Sequence, residues 1–522
     1  MSEDEHSGST RKILSSPWTL WALIVFGVAF RIIQYWSNRS LWLDEAMLSS
    51  SILNRSYGDL LKPPLDYYQH SPIGFLWMER FFLSLIHPLE YGLRFFPLLC
   101  GIISVFAFWR LTRYLLAPIG QAAALSLFSC GHYLVYYSSE VKQYSTEVLV
   151  CVTLIWTGLR FREPAPTWGK TLLLGMLGAV TIWLSFSAVF VLAGIGASLV
   201  FFAMRNKNQK DLLLLLSILT LWAASFLVLY YSILRNTPIL PQVMKEWTNL
   251  DGFWPFPPAS ISDLLWPWRA LQTFIANPLG MEIIFPYMVL IAAGYWVLGR
   301  KAPFYCLVVC ITVVVAIAAA ALHRYPFGLR VILYLVPLAL IGVGAAVDKI
   351  WEHLYAANTG LFLLIVLAVF YTPIKGGFHQ ALHPTVNTEI KPALTIVSQK
   401  ARPGDGIYVY RYAMPTYLVY QNSYPALRHL EVYSTSLESG SPTQPEVDEQ
   451  LRRIQAHAGR VWLLFAHTDV EEVSYRYYMR YFLDRIGRQV SSYEKDNVWL
   501  YLYAMPESGP AIGSSRLPPG GE

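Results

Sequence analysis

Long apolar runs separated by short polar segments fill the first 373 positions of this chain. A run of about 20 apolar residues is long enough to cross the hydrocarbon core of a bilayer as a helix. The pattern predicts about eleven spans, near residues 17–36, 91–115, 118–137, 141–161, 168–185, 187–204, 211–231, 279–299, 302–322, 327–347 and 355–373. The region 168–204 is compatible with one span or two, because only Ser185 and Ser187 interrupt it.

After Thr372 the pattern changes to short alternating runs, which predict strands at 406–410, 460–466 and 497–504 and an amphipathic helix at 471–487. We therefore expect a multi-spanning domain over 1–373, an α/β domain over 374–507, and a disordered Pro-, Gly- and Ser-rich tail over 508–522. His467 and Asp469 follow a predicted strand, and a polar exit from that strand is favoured over a site.

Composition agrees with a membrane protein: 55% of the residues are hydrophobic, 14% are charged, and the mean hydropathy is +0.39. About a quarter of the residues are charged in an ordinary soluble domain. The net charge of +6 does not indicate nucleic-acid binding, because the basic residues are scattered singly between apolar runs. All five cysteines lie inside predicted spans, so the C-terminal domain has no disulfide framework or zinc-binding cysteine cluster.

Basic residues in the short loops predict the orientation. When the spans alternate, one face collects Arg11, Lys12, Arg110, Arg113, Arg160, Arg162, Lys170, Arg205, Lys207, Lys210, Arg300, Lys301 and Lys349. By the positive-inside rule that face is cytoplasmic, which predicts a cytoplasmic N-terminus and an extracytoplasmic C-terminal domain. No small-residue cleavage signal follows the first span, so we expect an uncleaved anchor.

The first outer loop, residues 37–90, begins with the motif LWLDEA, which contains Asp44 and Glu45. Adjacent carboxylates at a membrane edge repel each other and lose solvation, so this pair is the leading candidate for catalysis. The alternative is that Asp44 serves as the N-cap of the following helix, and capping does not exclude catalysis. Further along the loop, four polar residues interrupt the apolar pattern before a helix suited to lying along the membrane surface: Asp66, Gln69, His70 and Ser71.

Two more polar clusters are predicted on the same outer face. Glu140, Gln143, Tyr144 and Glu147 are spaced by three and four, so we expect them to share a helical face that lines a wet cavity. Lys142 is compatible with snorkelling at a solvated helix end. The turn HRYPFGLR carries Arg324, Tyr325 and Arg330, whose cations suit an anionic headgroup; snorkelling is again the alternative.

These segments resemble, in order, the bacterial membrane glycosyltransferases of family 39 type, which are related to dolichyl-phosphate-mannose protein mannosyltransferases and aminoarabinose transferases. The resemblance covers about residues 18–348 and is carried by LWLDEA, EYGLRFFPLLCG, YYSSEVKQYSTE and RYPFGLR. RPGDGIYVY and RVWLLFAH are weakly similar to the outer domain of one bacterial branch.

The resemblance implies an α-helical polytopic fold of GT-C type, a location in the bacterial inner membrane, and a polyprenyl-phosphate sugar as donor. It makes Asp44 the catalytic carboxylate and places Arg94 near the donor phosphate. In aminoarabinose transferases a Glu before Lys-Pro-Pro in this loop is linked to a metal, whereas the aligned segment here offers Gln69 and His70. The sequence therefore leaves open whether a divalent metal takes part.

The expected activity is transfer of a monosaccharide from a polyprenyl phosphate to an extracytoplasmic hydroxyl of a lipid, glycan or protein, with inversion. Asp44 acts as general base, and Glu45 orients Asp44 or tunes its basicity. The donor phosphate is bound by Arg94, Lys142, Arg324 and Arg330. The cavity or acceptor residues are Asp66, Gln69, His70, Glu140, Tyr144, Glu147 and Tyr325.

Three other functions fit parts of the pattern. A transporter or flippase of lipid-linked sugars would also need cations and carboxylates in a cavity, but the chain shows no paired repeats and its polar residues gather on one face. A ligase or polymerase using a lipid-diphosphate glycan is disfavoured only by the resemblance. A scaffold with an inert membrane part does not explain Asp44, Glu45 and Glu140.

Overall fold

The computed structural model describes residues 16–162, 166–207, 209–355, 359–435, 444–457, 459–467 and 470–506. They form two compact units. The first, here named the membrane unit, comprises the chain up to Asn38 together with Ser56–Pro384. The second, the C-terminal unit, comprises Arg39–Arg55 together with the chain from Thr385 onward. Asp469 and the predicted disordered tail lie outside the described residues.

Every apolar run of the sequence contains a helix of the membrane unit. Helices are numbered along the whole chain, and α2 belongs to the C-terminal unit. Those of the membrane unit are α1 (Pro17–Trp36), α3 (Ile73–Leu85), α4 (Leu89–Leu115), α5 (Pro118–Cys130), α6 (His132–Tyr136), α7 (Tyr144–Arg162), α8 (Trp168–Leu184), α9 (Ala188–Arg205), α10 (Gln209–Ser232), α11 (Pro241–Asn249), α12 (Ile261–Leu264), α13 (Trp266–Ala276), α14 (Ile284–Lys301), α15 (Pro303–Ala321), α16 (Val336–Ile350) and α17 (Thr359–Leu382).

Within the described residues, six helical stretches are long and apolar enough to cross a membrane: α1, α4, α9, α10, α15 and Leu329–Leu354. The chain is therefore a multi-pass membrane protein, as its composition indicated. The number of spans stays a prediction. Between residues 168 and 204 the structure has two helices, α8 and α9. Ser185 and Ser187 form the break, with their hydroxyls 3.0 Å apart, and the Ser185 hydroxyl accepts a hydrogen bond from the Ala188 N–H at 3.2 Å.

Helix α5 is short, with 13 residues, and both of its ends are capped by charged side chains from other helices. The Asp348 carboxylate of α16 accepts a hydrogen bond from the Gly120 N–H at 2.6 Å. At the other end the Arg31 guanidinium of α1 donates to the Phe128 carbonyl at 3.3 Å. Each side chain carries a charge opposite in sign to the helix dipole at the end that it caps. Its hydrogen bonds also satisfy backbone groups that lipid cannot hydrogen-bond.

Close packing accompanies this capping. A Cβ atom on Gly120 would lie 2.2 Å from the carbonyl oxygen of Gly344, so α5 and α16 meet backbone against backbone. A larger residue at position 120 would separate the two helices and move Asp348 away from the α5 N-terminus. Gly120 is therefore required for the contact that caps α5.

The long polar segment between α10 and α14 is ordered by its own side chains. The Arg269 guanidinium on α13 donates to both carboxylate oxygens of Asp251, at 2.7 and 3.1 Å. The Trp266 indole donates to the Asp251 carbonyl at 2.8 Å. The Phe327 N–H donates to the Gly252 carbonyl at 2.7 Å, which joins this segment to the turn at residues 323–330.

The C-terminal unit is a small α/β domain, as the sequence predicted. Its strands are β1 (Gly406–Val409), β2 (Glu431–Tyr433), β3 (Gly459–Ala466), β4 (Arg488–Lys495) and β5 (Val498–Met505), and its helices are α2 (Leu43–Asn54), α18 (Lys391–Lys400), α19 (Met414–Gln421), α20 (Gln444–Ala456) and α21 (Val470–Ile486). The sheet order is β2-β1-β3-β5-β4. β1 is parallel to β2 and β3, whereas β5 is antiparallel to β3 and β4.

The predicted strands match β1, β3 and β5, whose side chains are almost all buried. The sequence did not predict β2 and β4, because β4 is mostly exposed and polar and β2 has only three residues. A partly buried ion pair lies at one end of the sheet, where Arg460 donates to both carboxylate oxygens of Asp405, at 3.0 and 2.6 Å. The Trp462 indole also donates to Asp405, at 3.1 Å.

Candidate active site

Two of the polar segments predicted to face outward meet inside the membrane unit. The Lys142 ammonium, which is only 4% exposed, donates to the Gln69 side-chain oxygen at 2.8 Å. Next to it the Ser71 hydroxyl donates to the Gln143 side-chain oxygen at 3.5 Å. The loop segment Asp66–Ser71 therefore packs against the residues that lead into α7.

The turn at residues 323–330 contributes a third polar segment. The Arg330 Nε donates to the Tyr144 hydroxyl at 3.0 Å. Tyr144 is 5% exposed, and its ring packs edge-on against Tyr137, with centroids 5.1 Å apart. The Tyr325 hydroxyl donates to the Val331 carbonyl at 2.9 Å, which shapes the turn before Arg330. Side chains far apart in sequence thus form two hydrogen-bonded pairs, Gln69–Lys142 and Tyr144–Arg330, at the start of α7, and together we call these four residues the polar cluster.

A break before α7 positions this cluster. The helix begins at Tyr144, and Glu140 has extended backbone. The prediction that Glu140, Gln143, Tyr144 and Glu147 share one helical face is therefore wrong, because only Tyr144 and Glu147 lie on the helix. The residues before α7 instead form a tight turn, in which the Lys142 N–H donates to the Glu140 carbonyl at 2.7 Å.

Helix α4 packs against the non-helical residues before α7, and small residues and a proline allow this contact. The Ser145 hydroxyl donates to the Pro97 carbonyl at 2.9 Å. A Cβ atom on Gly101 would lie 2.6 Å from the Cβ of Ser138, so this glycine allows the turn to approach α4 closely. Arg94, one turn before Pro97, is 2% exposed and interacts electrostatically with Tyr35 of α1.

Two carboxylates of the predicted cavity are fully buried. Glu140 is 0% exposed and Glu147 is 1% exposed. The Glu147 carboxylate lies near the backbone N–H groups of Phe186 and Ser187 at the break between α8 and α9. Within the described part of the chain, no group reaches hydrogen-bond geometry with either of its oxygens. A buried carboxylate is costly unless it is neutralised or solvated, so Glu147 marks a polar position inside the helices.

Asp66 and His70 belong to the same loop segment as Gln69. Asp66 begins a short 3-10 helix, Asp66–Tyr68, and is half-buried. His70 lines a small cavity that Gln69, Ser71 and Phe186 also line. Burial lowers the pKa of His70, and the nearby Lys142 ammonium lowers it further, which favours the neutral imidazole.

The two arginines of the turn have different surroundings. Arg324 is exposed, and its guanidinium forms no ion pair or hydrogen bond within the described ranges. Arg330 is half-buried and donates to Tyr144. The structure therefore brings Arg330, and not Arg324, into the polar cluster.

Asp44 and Glu45 lie on α2, in the C-terminal unit. The N-cap of α2 is Trp42, so the alternative that Asp44 caps the helix is wrong. Asp44 is the second residue of the helix and is half-buried. Glu45 is 0% exposed, and its carboxylate accepts a hydrogen bond from the Trp42 N–H at 3.3 Å. Both acids occupy the first turn, where the helix dipole favours negative charge.

Four residues with a clear structural role were not selected from the sequence. Arg31 and Asp348 are single charges within or beside apolar runs, which is a signal for buried function that could have identified them. Glu389 and Tyr420 hold the chain before α2, with Glu389 accepting from Ser40 and Tyr420 from Leu41. No local pattern marks these two, because their partners are distant in sequence.

The described residues contain no group of three or more His, Cys, Asp or Glu side chains arranged to hold a metal ion. The Gln69 side-chain oxygen accepts the hydrogen bond from Lys142, and His70 lines the small cavity beside it. Among the described residues this arrangement does not fit a metal site built from three protein ligands.

Comparison with known proteins gives both a family match and similar structures. Residues 70–231 match the family model described as dolichyl-phosphate-mannose-protein mannosyltransferase. None of the curated proteins matches the sequence. The oligosaccharyltransferase AglB of Archaeoglobus fulgidus, in complex with an inhibitory peptide and a dolichol-phosphate, is 14% identical, with a TM-score of 0.52 over 92% of this chain and 73% of that chain.

ArnT from Cupriavidus metallidurans is similar over nearly its whole length. Its apo structure is 15% identical, with a TM-score of 0.53 over 93% of this chain and 98% of that chain. Its structure bound to undecaprenyl phosphate is 14% identical, with a TM-score of 0.51 over 94% and 99% of the two chains. Identities this low establish the fold alone. The protein has the GT-C fold of membrane glycosyltransferases, with a small C-terminal sheet domain.

Proposed function

We propose that this protein is a glycosyltransferase that moves a monosaccharide from a polyprenyl-phosphate donor to an acceptor hydroxyl outside the cytoplasm, with inversion. The observation that carries the proposal is the polar cluster, in which Lys142 and Arg330 are held by hydrogen bonds inside a unit of GT-C fold. Cations fixed at a membrane edge suit a lipid phosphate better than a soluble substrate.

The donor class is supported by chemistry and by the similar structures. Nucleotide sugars are cytoplasmic, so a site on the other face needs a sugar delivered on a lipid. Undecaprenyl phosphate is bound by ArnT and a dolichol-phosphate by AglB. In this chain the phosphate would interact with Arg330, Lys142 and Arg94, whose guanidinium and ammonium groups suit phosphate oxygens.

The reaction is a displacement at the anomeric carbon. Asp44 accepts the proton of the acceptor hydroxyl as its oxygen attacks, and the bond to the lipid phosphate breaks on the opposite face of the sugar. The lipid leaves as polyprenyl phosphate, and the cations stabilise its growing negative charge. Because one displacement occurs through an oxocarbenium-like transition state, the anomeric configuration inverts.

The other polar residues have binding roles in this proposal. Gln69 and Tyr144 fix Lys142 and Arg330 before the donor arrives, so less reorganisation is needed as charge develops. His70 lines the small cavity described above, and we assign it, with Asp66, Glu140, Glu147 and Tyr325, to binding of the sugar or the acceptor. Neutral His70 beside Lys142 can accept or donate a hydrogen bond without adding charge.

A donor panel tests the proposal. Purified full-length protein in lipid nanodiscs is incubated with several polyprenyl-phosphate sugars and an extract of envelope acceptors, and release of polyprenyl phosphate is followed. We expect release with at least one lipid donor and none with nucleotide sugars, and a product of inverted anomeric configuration by NMR. Lipid movement between leaflets without release would support a flippase and contradict the proposal. A parallel arm with a chelator tests metal dependence.

A further inference from the structure

We propose that the C-terminal unit positions the catalytic helix, and that Glu389 and Tyr420 are its positioning residues. The inference rests on the proposed function, because it takes Asp44 as the general base. It assigns to the C-terminal unit a role in the reaction itself, through α2, the helix that carries Asp44.

Glu389 holds the chain just before α2 by two hydrogen bonds. Its two carboxylate oxygens accept from the Ser40 N–H at 2.9 Å and from the Ser40 hydroxyl at 2.5 Å. The Ser40 hydroxyl in turn accepts from the Lys391 N–H at 3.3 Å. Hydrogen bonds to an ionised carboxylate are shorter and stronger than neutral ones, so this contact fixes the backbone at Ser40.

Glu389 is itself fixed to the sheet. Its backbone N–H donates to the Asp496 carbonyl at 3.1 Å, in the turn between β4 and β5. The side chain of the neighbouring turn residue Asn497 donates to the Asn387 carbonyl at 2.8 Å. The carboxylate that holds Ser40 therefore belongs to a segment bound to the β4–β5 turn.

Tyr420 provides the second point of attachment. Its hydroxyl accepts from the Leu41 N–H at 2.9 Å, and both residues are almost completely buried. Two successive backbone N–H groups before α2 are thus bound by side chains of the C-terminal unit. The helix then packs against α19, with Ala46, Leu48 and Ile52 at 0% exposure.

This arrangement suits a catalytic base. The hydrogen bonds at Ser40 and Leu41 act on the backbone before α2, and the packing against α19 acts on its buried face. The Asp44 side chain is half-exposed. A general base must lie within hydrogen-bond reach of the proton that it accepts, and a displacement of about 1 Å can cost on the order of 100-fold in rate. Loss of the two attachments should therefore reduce the rate of the chemical step more than substrate binding.

The test uses two substitutions in the full-length protein, each with a matched control. Glu389→Gln leaves only one acceptor oxygen for two donors, and Tyr420→Phe removes the acceptor of the Leu41 N–H. Glu431→Gln and Tyr433→Phe change the same residue types on the edge strand β2. We expect kcat to fall about 10- to 100-fold for the first pair, with KM for the lipid donor changed less than about threefold, and no change for the controls.

Hydrogen exchange supplies a readout independent of activity. Amide exchange in peptides covering residues 39–55 should be faster in Glu389→Gln than in the wild type and unchanged in Glu431→Gln. Unchanged exchange in Glu389→Gln would overturn the anchoring, whatever the activity. Faster exchange with an unchanged kcat would overturn the role in catalysis.

The Asp44→Asn background separates this inference from the proposed function. If Asp44 is the base, adding Glu389→Gln to Asp44→Asn should cause little further loss of kcat, because both act on the same proton transfer. If Asp44→Asn alone keeps wild-type activity, the proposed general base is wrong. The exchange experiment still decides whether Glu389 holds α2.

Discussion

The loop after α1 contributes to both compact units, and its two parts are held in different ways. Residues 39–55 belong to the C-terminal unit, where backbone groups at Ser40 and Leu41 are bound and Asp44 stays half-exposed. The segment Asp66–Ser71 belongs to the membrane unit and is held through side chains, with Gln69 paired to Lys142. Restraint through the backbone suits Asp44 as the proposed general base, because its side chain remains able to exchange a proton. Pairing through side chains suits Lys142 as a proposed phosphate-binding cation, because its charge is held in place before the donor binds.

The largest expected effect comes from replacing Asp44, the proposed general base, in residues 39–55. Asp44→Asn keeps the size of the side chain but cannot accept a proton at neutral pH. We expect kcat to fall about 1,000-fold, within the range for loss of a general base, while the Kd for polyprenyl phosphate changes less than about twofold. Radiolabelled sugar transfer and lipid binding in nanodiscs measure the two quantities.

Asp59→Asn is the matched control for this substitution. Asp59 lies in the same loop, and its carboxylate pairs with Lys62 on the surface, which lowers its pKa to about 2. We expect wild-type activity from this variant. Near wild-type turnover by Asp44→Asn would show that Asp44 is not the general base. The proposed difference in function between residues 39–55 and the segment Asp66–Ser71 would then be wrong.

The next largest effect concerns the Arg330 guanidinium, which Tyr144 holds in place before the donor binds. Arg330→Ala removes the guanidinium bound to Tyr144, and we expect the Kd for polyprenyl phosphate to rise about 10- to 30-fold, as for loss of a charge-assisted hydrogen bond. Arg324→Ala removes an equal charge six positions earlier from an exposed site. Because solvent and salt screen an exposed charge, we expect less than about a threefold change.

Equal effects of the two arginine substitutions would contradict this contrast. They would show that net charge at the turn matters more than the position held by Tyr144. Arg330→Lys sharpens the test, because an ammonium keeps the charge but cannot form the fork of donors that a guanidinium offers to phosphate. We expect this variant to bind the lipid with an affinity between those of the wild type and Arg330→Ala.

Part of the polar cluster follows from the sequence for a physical reason. The predicted alternation of spans assigns residues 66–71, 140–147 and 323–330 to one face, and side chains of these segments are hydrogen-bonded in pairs. Once there, unlike polar groups pair rather than face lipid, as Lys142 does with Gln69 and Arg330 with Tyr144. The C-terminal sheet was also predictable, because its central strands are buried and apolar.

The sequence failed where contacts connect distant segments. Nothing near Asp44 indicates that its helix is attached to Glu389 and Tyr420, since those contacts depend on the fold of the C-terminal unit. The start of α7 was also misplaced, because spacing by three and four continues the apparent helix back to Glu140. The backbone there is extended instead. Local spacing describes a helix but does not locate its first residue.

A third prediction concerns backbone restraint within the membrane unit. Asp348 binds the N-terminus of α5, as Glu389 binds Ser40, but here the purpose is structural. Asp348→Asn weakens these bonds, and we expect the free energy of unfolding to fall by about 2 kcal/mol, measured by thermal unfolding in detergent. Glu352→Gln, an exposed acid paired with Lys349, is the control and should cost less than about 0.5 kcal/mol. Equal losses would show that the capping of α5 is not specific.

The smallest expected effect is a pH dependence in the C-terminal unit. His467 is bound between the hydroxyls of Thr388 and Thr416, at 3.0 and 3.2 Å, and burial lowers its pKa to about 4. An unfolded chain has an ordinary histidine with a pKa of about 6.5, so between these values it binds a proton that the folded unit excludes. Stability is therefore complete above pH 6.5 and falls as the pH decreases towards 4. Between pH 7.5 and 5.5 we expect a loss of about 1.4 kcal/mol, measured by hydrogen exchange of β3 peptides.

His467→Asn should abolish this pH dependence, whereas His429→Asn, which changes an exposed histidine of the same unit, should retain it. If the change of stability with pH is the same in wild type and His467→Asn, the titration belongs to other groups.

Amide exchange in peptides covering residues 39–55 extends this test to the loop after α1. Thr416, which is bound to His467, lies on α19, the helix that packs against α2. We therefore expect faster amide exchange of β3 at low pH to be accompanied by faster exchange of α2. The segment Asp66–Ser71 is held by side chains of the membrane unit, so its exchange rate, corrected for the intrinsic effect of pH, should be the same at both pH values.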